Sequence, residues 1–156
     1  MKRAMRRQDR KLTKAESEEI ISNNAYGVLS TICSEGYPYG VPMSYAYEEG
    51  KLYFHHTNDT SLMGDNLAAN SKACFTIIGK TEVLPSKFAT KYESVVAFGT
   101  VKAMADTEKV AVLMRIVHKY SADFAEAGLK YAQASMDKVN VYEFTIEQVT
   151  GKAKKE

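Results

Sequence analysis

The sequence contains no tryptophan, only two cysteines and only three prolines among its 156 residues. Two cysteines provide neither a disulfide framework nor a zinc site. Both Cys33 and Cys74 lie in apolar, strand-like runs, which is typical of buried thiols in a reducing compartment. No apolar run approaches the roughly 18 residues of a membrane span, and no apolar segment follows the basic N-terminus as it would in a signal peptide. We therefore expect a cytoplasmic protein with no membrane partner.

Several common catalytic and nucleotide-binding motifs are also missing. The chain has no GxSxG sequence, no HExxH pair, no GxGxxG turn and no GxxxxGK[ST] loop. These absences argue against an α/β-hydrolase, a histidine-ligated zinc enzyme, a Rossmann site and a P-loop, and we expect no metal. Any bound nucleotide must therefore be held by strand edges and loop N–H groups rather than by a glycine-rich turn.

Charge is distributed unevenly along the chain. The whole sequence has 21 Lys and Arg against 19 Asp and Glu, a net charge of +2. Residues 1–11 hold six of the cations and one acid, so the remainder is mildly acidic. A basic arm can bind nucleic acid, but an acidic remainder argues against a surface that follows a phosphate backbone. We expect no nucleic-acid partner and interpret residues 1–11 as a solvated or ligand-contacting arm.

The predicted elements follow the order helix, strands, helices and a last strand. Thr13 and Glu16 form a capping-box pattern that opens the first helix, which should end near Asn23 and Asn24. The six predicted strands cover residues 25–33, 37–47, 51–56, 72–78, 92–104 and 139–148. The other predicted helices cover residues 62–70, a stretch from 106 onward and residues 125–136. Residues 80–91 show no clear period and are predicted to be a loop.

This order predicts an α+β fold in which six short strands form a small antiparallel barrel with peripheral helices. We expect one domain, residues 1–156, with the basic arm at its start. Gly99, inside the longest predicted strand, indicates a bulge or a close backbone approach.

The segment from Gly36 to His56, GYPYGVPMSYAYEEGKLYFHH, predicts two strands joined by a tight acidic turn. Pro42 removes a ladder donor, which is costly inside a sheet. The N–H side of this strand should therefore face an edge, a bulge or a ligand. On its residues alone, the simplest interpretation is an edge strand with aromatic cross-strand pairs. His55 and His56 alternate faces at the end of the second strand, so at most one can point to any given site.

The same segment resembles the core of a known family. Its Gly-Tyr-Pro-x-x-Val-Pro-x-Ser-Tyr strand, followed by Lys-x-Tyr-Phe-His, is similar to the flavin-binding core of the pyridoxamine 5′-phosphate oxidase-like split barrels, and within them to the 5-nitroimidazole resistance (Nim) branch. Further similar segments, in family order, are residues 5–10 (MRRQDR), 70–75 (NSKACF), 94–99 (SVVAFG) and 142–151 (YEFTIEQVTG). The resemblance implies a split-barrel homodimer with FMN at the interface, FAD being the alternative flavin. It also implies an oxidoreductase that reduces small electrophiles such as nitroimidazoles.

The resemblance further implies which residues contact the flavin. The ring would lie against the strand from Val41 to Tyr45, and His55 would be the catalytic residue near the ring. The implied cofactor-binding residues are Val41, Pro42, Met43, Ser44, Tyr45, His55, His56, Thr57, Ser61, Tyr92, Ser94, Arg6 and Arg7. Of these, His56, Thr57 and Ser61 would hold the phosphate with help from the arginine arm, and the strand that carries Tyr92 and Ser94 would come from the partner chain.

One departure from the family concerns the loop after the second strand, which usually supplies a lysine to the phosphate. Here Met63 or Leu62 occupies that point. Hydroxyl groups, loop amides and the arginine arm are then left to compensate. The missing cation puts tight FMN binding in doubt and leaves room for a larger flavin such as FAD. With no reductant-binding motif in the chain, a non-catalytic flavin-binding module is the alternative function.

Overall fold

The structure is a computed structural model that describes residues 4–58 and 60–155. Its strands are β1 (Tyr26–Ile32), β2 (Pro38–Ser44), β3 (Ala46–Glu48), β4 (Lys51–Thr57), β5 (Lys72–Leu84), β6 (Ala89–Ala103) and β7 (Val139–Lys154). Its α-helices are α1 (Lys14–Asn23), α2 (Leu62–Ala69), α3 (Asp106–Tyr120) and α4 (Ala125–Ser135). Short 3₁₀ turns occupy Gln8–Arg10, Pro85–Lys87, Ala122–Phe124 and Met136–Lys138.

All strand pairs are antiparallel, and the order across the sheet is β2-β1-β5-β6-β7-β4-β3. The two edge strands, β2 and β3, are consecutive in the chain and are separated only by Tyr45. This connection holds the two edges of the sheet together at one corner. The sheet therefore curls into a barrel, while β2 keeps an open edge along its length.

The inner face of the curled sheet encloses an aromatic core. The ring of Phe75 on β5 lies 5.2 Å from the ring of Tyr45, 6.5 Å from that of Phe54 and 6.2 Å from that of Phe144. All four side chains are fully buried. Because they come from β4, β5, β7 and the β2–β3 corner, their contact requires the two sides of the sheet to meet around one core.

A second apolar cluster lies on the outer face of the sheet. Val112 and Leu113 of α3 and Ala132 of α4 pack there with Tyr53 and Val141, which belong to β4 and β7. The helical pair α3–α4 therefore covers the outer side of these two strands and leaves the outer side of β2 and β1 uncovered.

The structure confirms the α+β barrel class and the first helix, whose Thr13–Glu16 capping box is formed in both directions. It differs in strand number, with seven strands instead of six. The predicted strand 37–47 is two strands, because Pro38–Ser44 pairs with β1 whereas Ala46–Glu48 pairs with β4. The chain therefore passes from one edge of the sheet to the other at Tyr45.

The predicted loop at residues 80–91 is wrong. β5 continues to Leu84 and β6 starts at Ala89, so most of this segment is a hairpin closed by the turn Pro85–Lys87. A register shift between Ile78 and Thr81 and exposure on both faces of the hairpin remove the alternation that marks a half-buried strand. The last strand also extends further than predicted, to Lys154 instead of Gln148.

Gly99 confirms the predicted bulge and close approach. The β6–β7 register shifts between Phe98 and Gly99. A Cβ atom added at Gly99 would lie 2.0 Å from the carbonyl oxygen of Thr145. Only a residue without a side chain fits at this position.

Candidate functional site

The first part of the candidate site is the open edge of β2. The β1–β2 hairpin is closed by a hydrogen bond of 2.8 Å from the Cys33 N–H to the Tyr37 carbonyl. Hydrogen-bonded and non-hydrogen-bonded residue pairs alternate along an antiparallel ladder. Pro42, opposite Val28, therefore forms a non-hydrogen-bonded pair, and its backbone N and C=O point away from β1. The missing N–H of Pro42 therefore costs no ladder bond, which confirms the edge-strand interpretation.

The same count shows what the edge offers to a ligand. Pro38, Gly40, Pro42 and Ser44 all direct their backbone groups outward, and two of the four are prolines. The edge therefore presents several carbonyl acceptors but only the N–H groups of Gly40 and Ser44 as donors. Prolines at an edge discourage another strand from pairing there. Such an edge suits a planar ligand that needs a few donors and acceptors.

The second part is a broad outer surface over β2, β1, β5 and β6. Cross-strand partners point to the same side of a sheet, and the register joins one set of outward side chains. We call this surface the bare face, and its residues are Tyr26, Val28, Pro42, Ser44, Thr76, Ile78, Ser94 and Val96. None of these side chains is buried, and the exposed fraction reaches 66 % for Tyr26 and 62 % for Ile78. An uncovered apolar sheet face of this kind marks a surface for a ligand or a partner.

The two histidines end β4 on opposite faces, as predicted. The ring of His56 stacks on Tyr142 at 5.3 Å, and its Nε2 lies 3.0 Å from the Tyr142 hydroxyl oxygen. His55 is half-buried on the other face, beside Val141 in the β4–β7 register. Burial lowers the pKa of His55, and the charge of His56 lowers it further. His55 is therefore a neutral imidazole at neutral pH.

The third part, which we call the α2 cradle, consists of His56, Thr57, Ser61 and the first turn of α2. Ser61 is the N-cap of this helix, and its hydroxyl oxygen accepts the Gly64 N–H at 3.0 Å. A Cβ atom added at Gly64 would lie 3.8 Å from the His56 ring, so the ring borders this turn. The first N–H groups of a helix have no partner inside the helix and favour an anion. The α2 cradle can therefore bind a phosphate, although the exposed Asp65 adds a negative charge nearby.

Burial distinguishes the two residues at which the sequence lacks the expected lysine. Met63 is only 4 % exposed and belongs to the main core, whereas Leu62 is 48 % exposed. Met63 packs inside the barrel and is the wrong residue to replace with a cation. Leu62 is exposed and is the first residue of α2, whose first turn belongs to the α2 cradle.

Tyr45 has a structural task. Its side chain is fully buried and donates to the Ile21 carbonyl at 2.5 Å. Its backbone N–H donates to the Tyr120 hydroxyl at 2.9 Å, and the single hydrogen of that hydroxyl is shared between the carbonyls of Ala25 and Tyr45. Tyr45 therefore fixes the β2–β3 corner and has no free group for the flavin contact expected from the sequence. Val41 and Met43 also point inward, so β2 can meet a ligand there through its backbone and through Pro42 and Ser44.

The remaining predicted contacts lie away from the α2 cradle. Tyr92 and Ser94 pair with the last residues of β7, whereas His56 pairs near its beginning. Arg7 lies beside this far end, and its guanidinium binds the Asp9 carboxylate with Nε–Oδ1 at 2.8 Å. This hydrogen bond lowers the pKa of Asp9 to about 2.

Within one chain, the arginine arm and the β6 residues therefore do not reach the α2 cradle. Arg6 is exposed and directly precedes Arg7. Like Arg7, it lies away from the α2 cradle of its own chain. The expectation that Arg6 or Arg7 assists the flavin phosphate stays a prediction. Residues 1–3 of the predicted arm lie outside the described residues.

Sequence reasoning missed Tyr142, Tyr120 and Asn66. Each is far in sequence from the group that it binds, and Asn66 donates to Thr31 on β1 at 3.0 Å. Strand pairing and helix docking bring these residues to the site, and no short motif signals them. In the part of the chain that the structure describes, no cluster of three His, Cys, Asp or Glu side chains could hold a metal, and no helix is long and apolar enough to cross a membrane.

Several solved structures have the same fold. A protein assigned to 5-nitroimidazole antibiotic resistance, from Bacteroides thetaiotaomicron, is 24 % identical with a TM-score of 0.74, and the match covers 92 % of this chain and 86 % of that chain. A FAD-binding protein from Mesorhizobium loti is 23 % identical with a TM-score of 0.63, covering 93 % and 97 %. A FAD- and heme-binding protein from Mycobacterium smegmatis is 13 % identical with a TM-score of 0.77, covering 92 % and 72 %.

Comparison with the curated proteins found no significant match. The family model of pyridoxamine 5′-phosphate oxidase, in contrast, matches residues 13–153, from the N-cap of α1 to the end of β7. The match spans the whole curled sheet and all the elements of the candidate site. This chain therefore belongs to the pyridoxamine 5′-phosphate oxidase family and has its split-barrel fold.

Proposed function

We propose that this protein is a flavin-dependent oxidoreductase that works as a homodimer and reduces small electrophiles such as nitroimidazoles. The observation that carries this function is the open edge of β2 beside the bare face. One chain presents an unpaired strand edge, an uncovered apolar surface and, next to α2, a phosphate cradle. Family membership and the FAD-binding proteins of the same fold support a flavin as the occupant.

The residues present fit a flavin ring. A flavin has one ring N–H donor and two carbonyl acceptors on its pyrimidine side, and the β2 edge offers carbonyl acceptors together with the N–H groups of Gly40 and Ser44. The exposed Ser44 hydroxyl is a further polar group, and Pro42 offers an apolar contact for the ring. When bound, the flavin supplies the electron transfer, while the protein supplies position and surroundings. We expect FMN or FAD to lie along this edge.

The α2 cradle fits the phosphate by hydrogen bonding rather than by net charge. The Ser61 oxygen accepts the Gly64 N–H, so its own hydrogen is free to donate, and Thr57 is exposed next to His56. A hydrogen bond to a charged phosphate is worth about 1.5–3 kcal/mol. Thr57→Val should therefore weaken FMN binding about 10- to 100-fold, since about 1.4 kcal/mol corresponds to a factor of ten.

Titration of the flavin-free protein with FMN, followed by quenching of flavin fluorescence, measures this effect. Thr107→Val is the matched control because Thr107 is exposed on α3, and its dissociation constant should equal that of the wild type. Equal affinity of Thr57→Val and Thr107→Val would place the phosphate outside the α2 cradle.

His55 is the proposed catalytic residue. Its neutral imidazole carries a proton on one ring nitrogen and is half-buried. We propose that this ring positions the electrophile by donating a hydrogen bond. His55→Phe should lower turnover with a reduced nicotinamide and a nitroimidazole while leaving the FMN dissociation constant within about twofold. If the flavin-loaded wild type shows no turnover with several such electrophiles, the protein is a flavin-binding module instead.

The homodimer explains why the predicted contacts are split between two ends of the chain. A second copy that packs on the bare face covers its apolar side chains and carries Tyr92 and Ser94 toward the other chain's β2 edge. Ile78→Arg places a charge on the bare face without disturbing the core, because Ile78 is 62 % exposed. This substitution should yield monomers in sedimentation experiments and weaken flavin binding. Tyr131→Arg on α4, where Tyr131 is 76 % exposed, is the control and should leave the dimer intact.

A further inference from the structure

A cleft of about 510 Å³ lies between the N-terminal segment and the end of β7. It is at the opposite end of β7 from the α2 cradle. Five of its lining side chains are cations, namely Arg7, Arg10, Lys11, Lys154 and Lys155, against two acids. The cleft therefore concentrates positive charge on a chain whose net charge is only +2.

The two acids are already engaged and leave the excess charge uncompensated. The Asp9 carboxylate binds the Arg7 guanidinium, and the nearest Arg10 nitrogen in the ion pair with Asp9 is 3.9 Å away. Glu16 accepts from backbone in the α1 capping box and pairs with Lys155 at 3.2 Å. Among the described residues, Lys11 and Lys154 of the cleft thus form no ion pair, and Arg10 has only the longer pair with Asp9.

Tyr92 adds a hydroxyl donor beside these cations. The Arg10 guanidinium donates to the Tyr92 oxygen at 3.2 Å, the Lys152 ammonium lies 5.5 Å from the ring centre, and Lys154 is the cross-strand partner of Tyr92. Because the phenol oxygen accepts from a cation, its hydrogen is left for an acceptor. Burial raises the pKa of Tyr92, but hydrogen bonds from Arg10 and Lys152 outweigh it and lower the pKa.

We propose that this cleft binds a pyrophosphate group through Arg10 and Lys154 of its lining, with Lys152 and the Tyr92 hydroxyl, which border the cleft, as further donors. A single phosphate would use only part of the available charge, whereas two linked phosphates can contact cations from the N-terminal segment and from β7 together. The volume of the cleft leaves room for a group attached to the pyrophosphate. This site lies at the opposite end of β7 from the α2 cradle, and it shares Tyr92 with the contacts proposed for the flavin.

Calorimetric titration of the purified protein with inorganic pyrophosphate, orthophosphate and sulfate tests the site. Pyrophosphate should bind at least about tenfold more tightly than the other two anions. Arg10→Gln and Lys152→Gln should each weaken it about 10- to 100-fold, since each removes a charged hydrogen bond. Lys130→Gln, which removes an exposed cation on α4, should leave affinity within about twofold. Equal binding of all three anions, or equal affinity of Arg10→Gln and Lys130→Gln, overturns the assignment.

Two further variants keep the test valid if a glutamine variant is unstable. Arg10→Lys retains the charge, and Tyr92→Phe retains the ring and removes only the hydroxyl. Arg10→Lys should bind pyrophosphate within about tenfold of the wild type. Tyr92→Phe should bind pyrophosphate more weakly than the wild type does. A melting curve of each variant checks that it is folded. If Tyr92→Phe binds as the wild type does, the phenol is no donor in the site.

The pyrophosphate could belong to a dinucleotide such as FAD or to a free phosphoanhydride. If it belongs to FAD, the wild type binds FAD more tightly than FMN, Arg10→Gln removes this preference, and pyrophosphate competes with FAD. If it is free, pyrophosphate binds equally well to the flavin-loaded and flavin-free protein. Both results support the cleft, and neither requires turnover. Failure of the pyrophosphate titration would leave the flavin function standing, so the two failures are distinguishable.

Discussion

Replacing Leu62 with lysine places a cation at the first turn of α2, where the family usually supplies one. Leu62 is 48 % exposed, so the substitution removes little buried apolar surface. A positive charge at a helix N-terminus costs about 0.3–1 kcal/mol. A new charged hydrogen bond to a phosphate in the α2 cradle contributes about 1.5–3 kcal/mol. The first cost is present in the free and the flavin-bound protein alike and lowers only stability, so Leu62→Lys should bind FMN more tightly by roughly 10- to 100-fold, since 1.4 kcal/mol is tenfold.

The neighbouring residue provides the contrast. Met63 is 4 % exposed, and Met63→Lys would bury an ammonium group in the core. Loss of a buried methionine alone costs about 2–5 kcal/mol. For a domain of this size each kcal/mol shifts Tm by about 2–4 °C. Met63→Lys should therefore lower Tm by about 4–20 °C, whereas Leu62→Lys should leave it nearly unchanged.

Fluorescence titration of the flavin-free variants with FMN and thermal melting measure the two effects. Leu62→Gln is the matched control because it is polar but uncharged. The gain from Leu62→Lys should also shrink at high salt, as expected for a partly exposed ion pair. If Leu62→Lys binds FMN no better than Leu62→Gln, no phosphate lies at the start of α2.

Two further predictions concern the barrel itself. Gly99→Val should lower the free energy of unfolding by about 1–3 kcal/mol or more, because its side chain would collide with the Thr145 carbonyl in the β6–β7 bulge; an unchanged melting curve would contradict the close approach. Burial lowers the pKa of Lys119 from 10.5 to about 8, so between these values the unfolded chain binds more protons and the stability of the wild type rises with pH. The Tm difference between the wild type and Lys119→Met should therefore shift in favour of the wild type from pH 8 to about 10.5; a constant difference would show that Lys119 titrates normally.

Local sequence signals predicted the parts of the fold that depend on a few neighbouring residues. The Thr13–Glu16 capping box and the bulge at Gly99 need only side chains and backbone close in sequence or a glycine in a strand pattern. Pro42 predicted an edge because a proline in any central strand would break a ladder. These features follow from chemistry that is readable residue by residue.

Features that depend on packing between distant segments were not readable in this way. The corner at Tyr45 depends on hydrogen bonds to Tyr120 from another element, and the strand beyond Ile78 lies in an exposed hairpin without an alternating pattern. Likewise, Met63 and Leu62 are neighbours in sequence, and only the docking of α2 decides which one is buried. The separation of the arginine arm from the α2 cradle required the order of strands in the closed sheet.

The central claim is that a flavin lies at the open edge of β2 between two copies of the chain. Gel filtration of the protein after incubation with FMN, with light scattering and absorbance recorded together, tests both halves at once. We predict a single peak at twice the mass of one chain that carries about one flavin per chain. A monomer peak without flavin absorbance, at flavin concentrations well above those that saturate related flavoproteins, would contradict the account.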